Sequence, residues 1–211
     1  NTLPRMIVKN GFGLEVPAGK RIEETGASFI NAETLVALEE AFETGVPALN
    51  KILTVIGKDG RIRLASARIG TPVGEILAEA GIRTDAGDLL VQGGPMAGRT
   101  LHSEDMPVLN VTDALLVLDK TQVVLSSDAH CINCGECVRA CPAGIPVNML
   151  VRVLENGMWE EAVNLYDLDA CIECGLCSYV CTARIPVFHH IMLGRHEARR
   201  TGIAEESDVK G

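Results

Sequence analysis

Cys131-Ile-Asn-Cys134-Gly-Glu-Cys137-Val-Arg-Ala-Cys141-Pro142 returns 40 positions later as Cys171-Ile-Glu-Cys174-Gly-Leu-Cys177-Ser-Tyr-Val-Cys181-Thr182. All eight cysteines of the chain lie in these two runs. The flanks repeat as well, since Ala143, Ile145, Pro146 and Val147 recur as Ala183, Ile185, Pro186 and Val187. The chain therefore carries an internal duplication whose unit is a cysteine-rich loop.

The spacing within each run points to its chemistry. Three thiolates two residues apart wrap three corners of an iron–sulfur cube, while a fourth cysteine, further along, reaches the other cube. On that rule one [4Fe-4S] cluster falls to Cys131, Cys134, Cys137 and Cys181, and the second to Cys171, Cys174, Cys177 and Cys141. Gly135 and Gly175 stand where the backbone must turn tightly around inorganic sulfide, which glycine permits because it adopts positive φ without a Cβ penalty. A disulfide framework suits a small secreted chain, whereas no signal peptide is evident and the remaining residues form a core without staples. Structural zinc prefers two separated Cys-x-x-Cys pairs and leaves the third and fourth cysteine of each run unexplained. A redox dithiol needs one Cys-x-x-Cys, not two quartets in one register.

Composition narrows the class further. At 211 residues with 47% hydrophobic content, the chain holds one large domain or two to three small ones with a real core. No apolar run approaches the roughly 18 residues of a membrane span. A net charge of −9 and only 3% aromatic residues argue against nucleic acid, which wants basic surface and stacking platforms. Thiolates kept reduced for clusters point to the cytoplasm. The first residues, Asn1-Thr-Leu-Pro, read as the continuation of something longer.

Residues 1–50 read as a terminal stub: a strand or two within residues 5–20, a strand over residues 27–31, then a helix over residues 32–44 stopped by Gly45 and Pro47. Residues 51–120 read as a β-rich module. Strands are expected at residues 51–57 and 61–69 around the Lys58-Asp59-Gly60 turn, a short helix at residues 73–80, and strands at residues 89–92 and 111–118. This order suggests a β-grasp unit. Its glycine-rich turn, Gly93, Gly94, Pro95 and Gly98, is a candidate for contact with a cofactor or partner, although tight-turn geometry explains it as well. It lacks the lysine of a P-loop and the spacing of a dinucleotide fingerprint.

Residues 121–200 read as a mostly helical two-cluster domain. Helices are expected over residues 147–154 and 158–166, separated by Asn156-Gly157, and from about residue 187 to 200. Val151, Leu154, Trp159, Val163 and Leu165 are expected to shield the clusters. Residues 201–211 read as a polar, disordered tail. Thr182 replaces the proline found at Pro142, and its N–H or hydroxyl is expected near Cys181, raising that cluster's potential. His130, His189 and His190 are not needed as ligands. Arg184, Arg195, His196, Arg199 and Arg200 form either a solvated helix end or a docking patch for an acidic electron carrier.

This order of features, with Ile69-Gly-Thr-Pro72, Gly93-Gly-Pro-Met96 and the Cys171 to Cys181 run, resembles the C-terminal half of the RnfC family, the C component of the Rnf ion-translocating ferredoxin:NAD oxidoreductase. The resemblance implies an α+β architecture: a soluble-ligand-binding β-grasp (SLBB-like) module followed by a helical ferredoxin-like domain. It also implies that the stub belongs to an upstream α/β domain that binds FMN and NADH. The implied role is a one-electron relay between that site and other redox subunits or a carrier such as ferredoxin, in a peripheral complex on the cytoplasmic face of the membrane. A cobalamin-reductase-type or cofactor-binding assembly module with mainly structural clusters is the alternative. No catalytic side chain stands out in either case.

Overall fold

The computed structural model describes residues 2–17, 20–94 and 96–203. These fall into two compact units: one within Asn1–Phe29 and Leu125–Gly211, the other within Ile30–Val124.

In the second unit, β1 (Asn50–Ile56) and β2 (Ile62–Arg68) form an antiparallel hairpin, with Ile56 opposite Ile62 across the Lys58-Asp59-Gly60 turn. A helix, α3 (Val73–Glu79), then crosses over before β3 (Leu89–Gln92), β4 (Arg99–Thr100) and β5 (Ala114–Leu118). The five strands are ordered β2-β1-β5-β3-β4, with β1 and β5 parallel and the other pairs antiparallel. One face of this mixed sheet is buried. Leu53, Val55, Ala67, Leu90, Leu115 and Val117 pack with Val73, Ile76 and Leu77 of α3. The strict alternation of β1, buried at Lys51, Leu53 and Val55, is what a half-buried strand requires.

The preceding helix, α2 (Ala32–Thr44), is capped by Asn31, whose side chain accepts from Glu33 N at 3.0 Å, and ends at left-handed Gly45. It buries none of its residues and leaves Leu35, Val36, Leu38 and Phe42 exposed. Polar contacts hold it instead. The Glu33 carboxylate accepts from Ile52 N at 3.1 Å and pairs with the buried Lys51, which also meets Asp113 at 2.8 Å. Burial opposes the Lys51 charge, but the Asp113 and Glu33 carboxylates outweigh it and raise the lysine's pKa.

The first unit begins with α1 (Thr2–Phe12), a helix where the sequence suggested strands within residues 5–20. A short apolar run such as Met6-Ile7-Val8 cannot be told from a helix by periodicity. Pro4, which fits a helix's first turn, and Gly13, left-handed at φ 66 with its N–H on Lys9 O, are the signals that decide it. Val8 is fully buried, and residues 27–31 form no strand. Residues 1–29 thus group with the cysteine region, not with residues 30–50.

That region contains α4 (Glu136–Arg139), α5 (Val147–Glu155), α6 (Trp159–Asn164), α7 (Leu176–Tyr179) and α8 (Val187–Arg200). Its core comprises Ile145, Val147, Leu150, Val151, Leu154, Ala162, Leu168, Ile185, Val187 and Ile191. Trp159 and Val163 pack against it, but Leu165, expected in the shield, is 66% exposed because α6 ends one residue before it. Ile203 also packs against this core, and residues 204–211 of the expected tail lie outside the described residues.

Candidate metal centre

The duplication extends to the backbone. Each cysteine loop carries a left-handed residue two positions after its first cysteine, Asn133 and Glu173, both at φ 59. Each then turns at a left-handed glycine, Gly135 at φ 77 and Gly175 at φ 75, which starts the four-residue helix α4 or α7. These turns aim successive thiols toward one side. Burial repeats as well: Cys137 and Cys177 are the buried members, at 9% and 8% exposure, and Ile145 and Ile185 are equally enclosed. Where the first repeat has Gly144 at φ 70, the second holds Arg184 at φ 56.

Two cavities result. Cys131, Cys134, Cys137 and Cys181 line the first, with Thr182, Ile185, Val187, Asn148 and Val151. Cys171, Cys174, Cys177 and Cys141 line the second, with Ile145, Val147, Phe188 and Ile191. The spaces measure about 370 and 320 Å³, including the part open to solvent. Each quartet therefore takes three thiols from one loop and one from the other. Among the described residues no three Cys, His, Asp or Glu side chains converge on a single-ion site. Four thiols lining one space, three from a Cys-x-x-Cys-x-x-Cys loop and one from its repeat, are a donor set that fits an iron–sulfur cube.

Local electrostatics differ from thiol to thiol. The Glu136 backbone N–H, and then the Thr182 hydroxyl 3.6 Å from its sulfur, hold Cys134 below the usual thiol range. Burial pushes Cys137 and Cys171 up, and pushes Cys177 up to about 12. Thr182 thus reaches Cys134 and not Cys181 as anticipated, although both sulfurs line the same cavity.

The two sites are also unequally covered. Residues 132–134 of the first loop are exposed, with Ile132 at 65%, whereas residues 172–174 are half-buried. Ile172 shares a crevice with Arg5, Met6 and Lys9 of α1. Arg195 of α8 was a candidate for a docking patch, but only 11% of its side chain is exposed. Its Nη1 donates to Cys171 O at 3.1 Å and pairs with Glu173, and its Nε is the one buried side-chain nitrogen or oxygen among the described residues without a hydrogen-bond partner. Arg200 is engaged by Glu197, and His130, His189 and His196 are exposed. Composition alone gives no sign that Arg195 turns inward. The signal is its position one turn beyond Ile191 on the buried face of α8.

Of the glycine-rich turn, Gly93 and Gly98 connect β3 to β4, and Gly98 N donates to Gly94 O at 2.8 Å. A Cβ on Gly98 would strike Gly94 O and Val91, so close backbone packing accounts for this glycine. Pro95 lies outside the described residues.

Residues 130–185 match the 4Fe-4S dicluster domain family. The chain is 36% identical over 135 residues to the C component of the ion-translocating oxidoreductase complex of Cronobacter sakazakii, covering 63% of this chain and 17% of that protein. It is 37% identical over 139 residues to the protein of the same name from Yersinia pestis, covering 63% of this chain and 22% of the relative. It is 30% identical over 167 residues to the C component of the proton-translocating ferredoxin:NAD(+) oxidoreductase complex of Clostridium ljungdahlii, covering 78% of this chain and 36% of the relative. The chain thus matches only about a sixth to a third of the length of these curated relatives. With paired cysteine loops inside the matched region, this chain is a homologue of the RnfC family, the C components of ion-translocating oxidoreductase complexes, and carries an iron–sulfur region of the 4Fe-4S dicluster type.

Proposed function

We propose that the chain relays single electrons through two [4Fe-4S] clusters, one held by Cys131, Cys134, Cys137 and Cys181 and the other by Cys141, Cys171, Cys174 and Cys177. The observation that carries this reading is the lining of two cavities by four thiols each, with one thiol in each crossing from the opposite loop. Bound clusters of this type supply reversible one-electron transfer. The chain's own residues hold the thiolates by left-handed turns, exclude water with Ile145, Val147, Val151, Ile185 and Ile191, and direct polar groups at the sulfurs.

The relay connects a flavin and nicotinamide site on an upstream domain to another redox protein of the complex or a carrier such as ferredoxin, within a peripheral part of a membrane complex at its cytoplasmic face. The names of the relatives, components of ion-translocating and ferredoxin:NAD(+) oxidoreductase complexes, support that setting. Among the described residues no helix is long and apolar enough to cross a membrane. The uncovered Leu35, Val36, Leu38 and Phe42 of α2 support assignment of residues 30–49 to the edge of that upstream domain. The second unit is a β-grasp module of the soluble-ligand-binding type, a reading supported by the parallel β1–β5 pair and the crossing helix α3. Its candidate contact surface remains the turn at Gly93, Gly94, Pro95 and Gly98.

Anaerobically purified protein is expected to contain about eight iron and eight acid-labile sulfide per chain, with an interacting EPR spectrum on dithionite reduction. Zinc without labile sulfide would refute the relay.

A further inference from the structure

We infer that Arg195 raises the reduction potential of the group held by Cys141, Cys171, Cys174 and Cys177, through a guanidinium buried against Cys171. The inference rests on the cluster reading above and adds to it a residue that makes the two sites unequal.

Its starting point is a break in the duplication. Forty positions before Arg195 stands Glu155, exposed at the end of α5. Forty positions before Glu173 stands Asn133, whose side-chain Oδ1 accepts from Asn148 Nδ2 at 2.7 Å. The first loop thus has a neutral amide pair where the second has an ion pair with a buried arginine. An arginine does touch the first loop: Arg139 donates to Cys134 O at 3.1 Å and pairs with Glu136. That guanidinium is 63% exposed, so water and salt screen it, whereas Arg195 at 11% acts through a lower dielectric.

Glu173 offsets part of the Arg195 charge. The offset is incomplete because Glu173 is the more solvent-screened partner, with 36% of its side chain exposed against 11% for Arg195. Arg5 of α1 adds to the same field. It lines a crevice with Ile172, which puts a second guanidinium on this side of the unit. Reduction adds one negative charge, and a nearby net positive field stabilises that state. The orphan Nε of Arg195 supplies a further donor in the same buried place.

The test measures both midpoint potentials by EPR-monitored redox titration of the whole chain, after iron and sulfide analysis. Arg195→Gln is expected to lower one midpoint by about 59 mV, a tenfold change in a one-electron equilibrium. Glu173→Gln is expected to raise that same midpoint, and Thr182→Val to move only the other. Opposite signs from Arg195→Gln and Glu173→Gln distinguish an electrostatic role from a merely structural one. The inference is overturned if neither variant shifts a midpoint, or if each shifts both midpoints equally. Should Arg195→Gln lose iron, Glu173→Gln decides alone: an unmoved or lowered midpoint overturns the inference. A wild-type chain without eight iron defeats the cluster reading instead.

Discussion

Thr182 is the residue at which the repeat departs from its own pattern with a polar atom at a sulfur. Cys181 closes the first cavity, so the residue after it meets the first loop, and its hydroxyl comes to rest 3.6 Å from Cys134. Toward a thiolate the hydroxyl is the donor, and donation to sulfur favours the reduced cluster. Thr182→Val keeps the β-branched shape and removes the donor. With a hydrogen bond worth about 1 kcal/mol, the midpoint of the cluster at Cys134 is expected to fall by about 40 mV, measured by redox titration. The substitution at position 182 was visible in the sequence, but its partner was not, because the two residues lie 48 positions apart. Leu165 and Arg195 depart from the expected exposure for a related reason. Which side of a helix is covered depends on the elements that reach it: α6 stops before Leu165, and Arg195 lies on the buried face of α8.

Among the elements, α5 and α8 form the frame on which the cysteine loops rest. Each follows a proline, Pro146 or Pro186, and each buries its first valine, Val147 at 1% and Val187 at 2% exposure. They pack closely because Gly194 of α8 faces Leu154 of α5, and a Cβ at position 194 would run into that leucine's side chain. Leu154 is itself 3% exposed and has little room to yield. Gly194→Ala is therefore expected to destabilise the unit by about 1–3 kcal/mol despite alanine's better helix propensity, measured by chemical denaturation of the cluster-loaded chain. These helices were legible because their apolar residues recur at helical spacing and Asn156-Gly157 separates α5 from α6. The helix α1 was not, since its apolar run is too short for periodicity to separate helix from strand.

Among the described residues there are two hydrophobic cores, one built from residues 137–198 and the other from residues 53–117. No cysteine lies within Ile30–Val124, so all the candidate cluster ligands belong to the other unit. Calorimetry is expected to resolve two transitions, and removal of iron by chelation to abolish that of the cysteine unit while leaving the sheet unit's midpoint unchanged. A loss of both transitions on chelation would mean that the sheet unit draws its stability from the clusters.

The cysteine spacing, its duplication and the alternation of β1 carried the proposed metal chemistry, the grouping of cysteines around two cavities and most element boundaries, because each is a local pattern imposed by ligand or backbone geometry. Folding in three dimensions was needed to group residues 1–29 with the cysteine unit, to turn Arg195 inward beside Cys171, and to leave the first loop open while the second lies beside α1. Those features depend on which surfaces meet between segments distant in sequence. Spacing along the chain does not encode them, since a duplicated motif specifies two equal loops and only their different neighbours make them unequal.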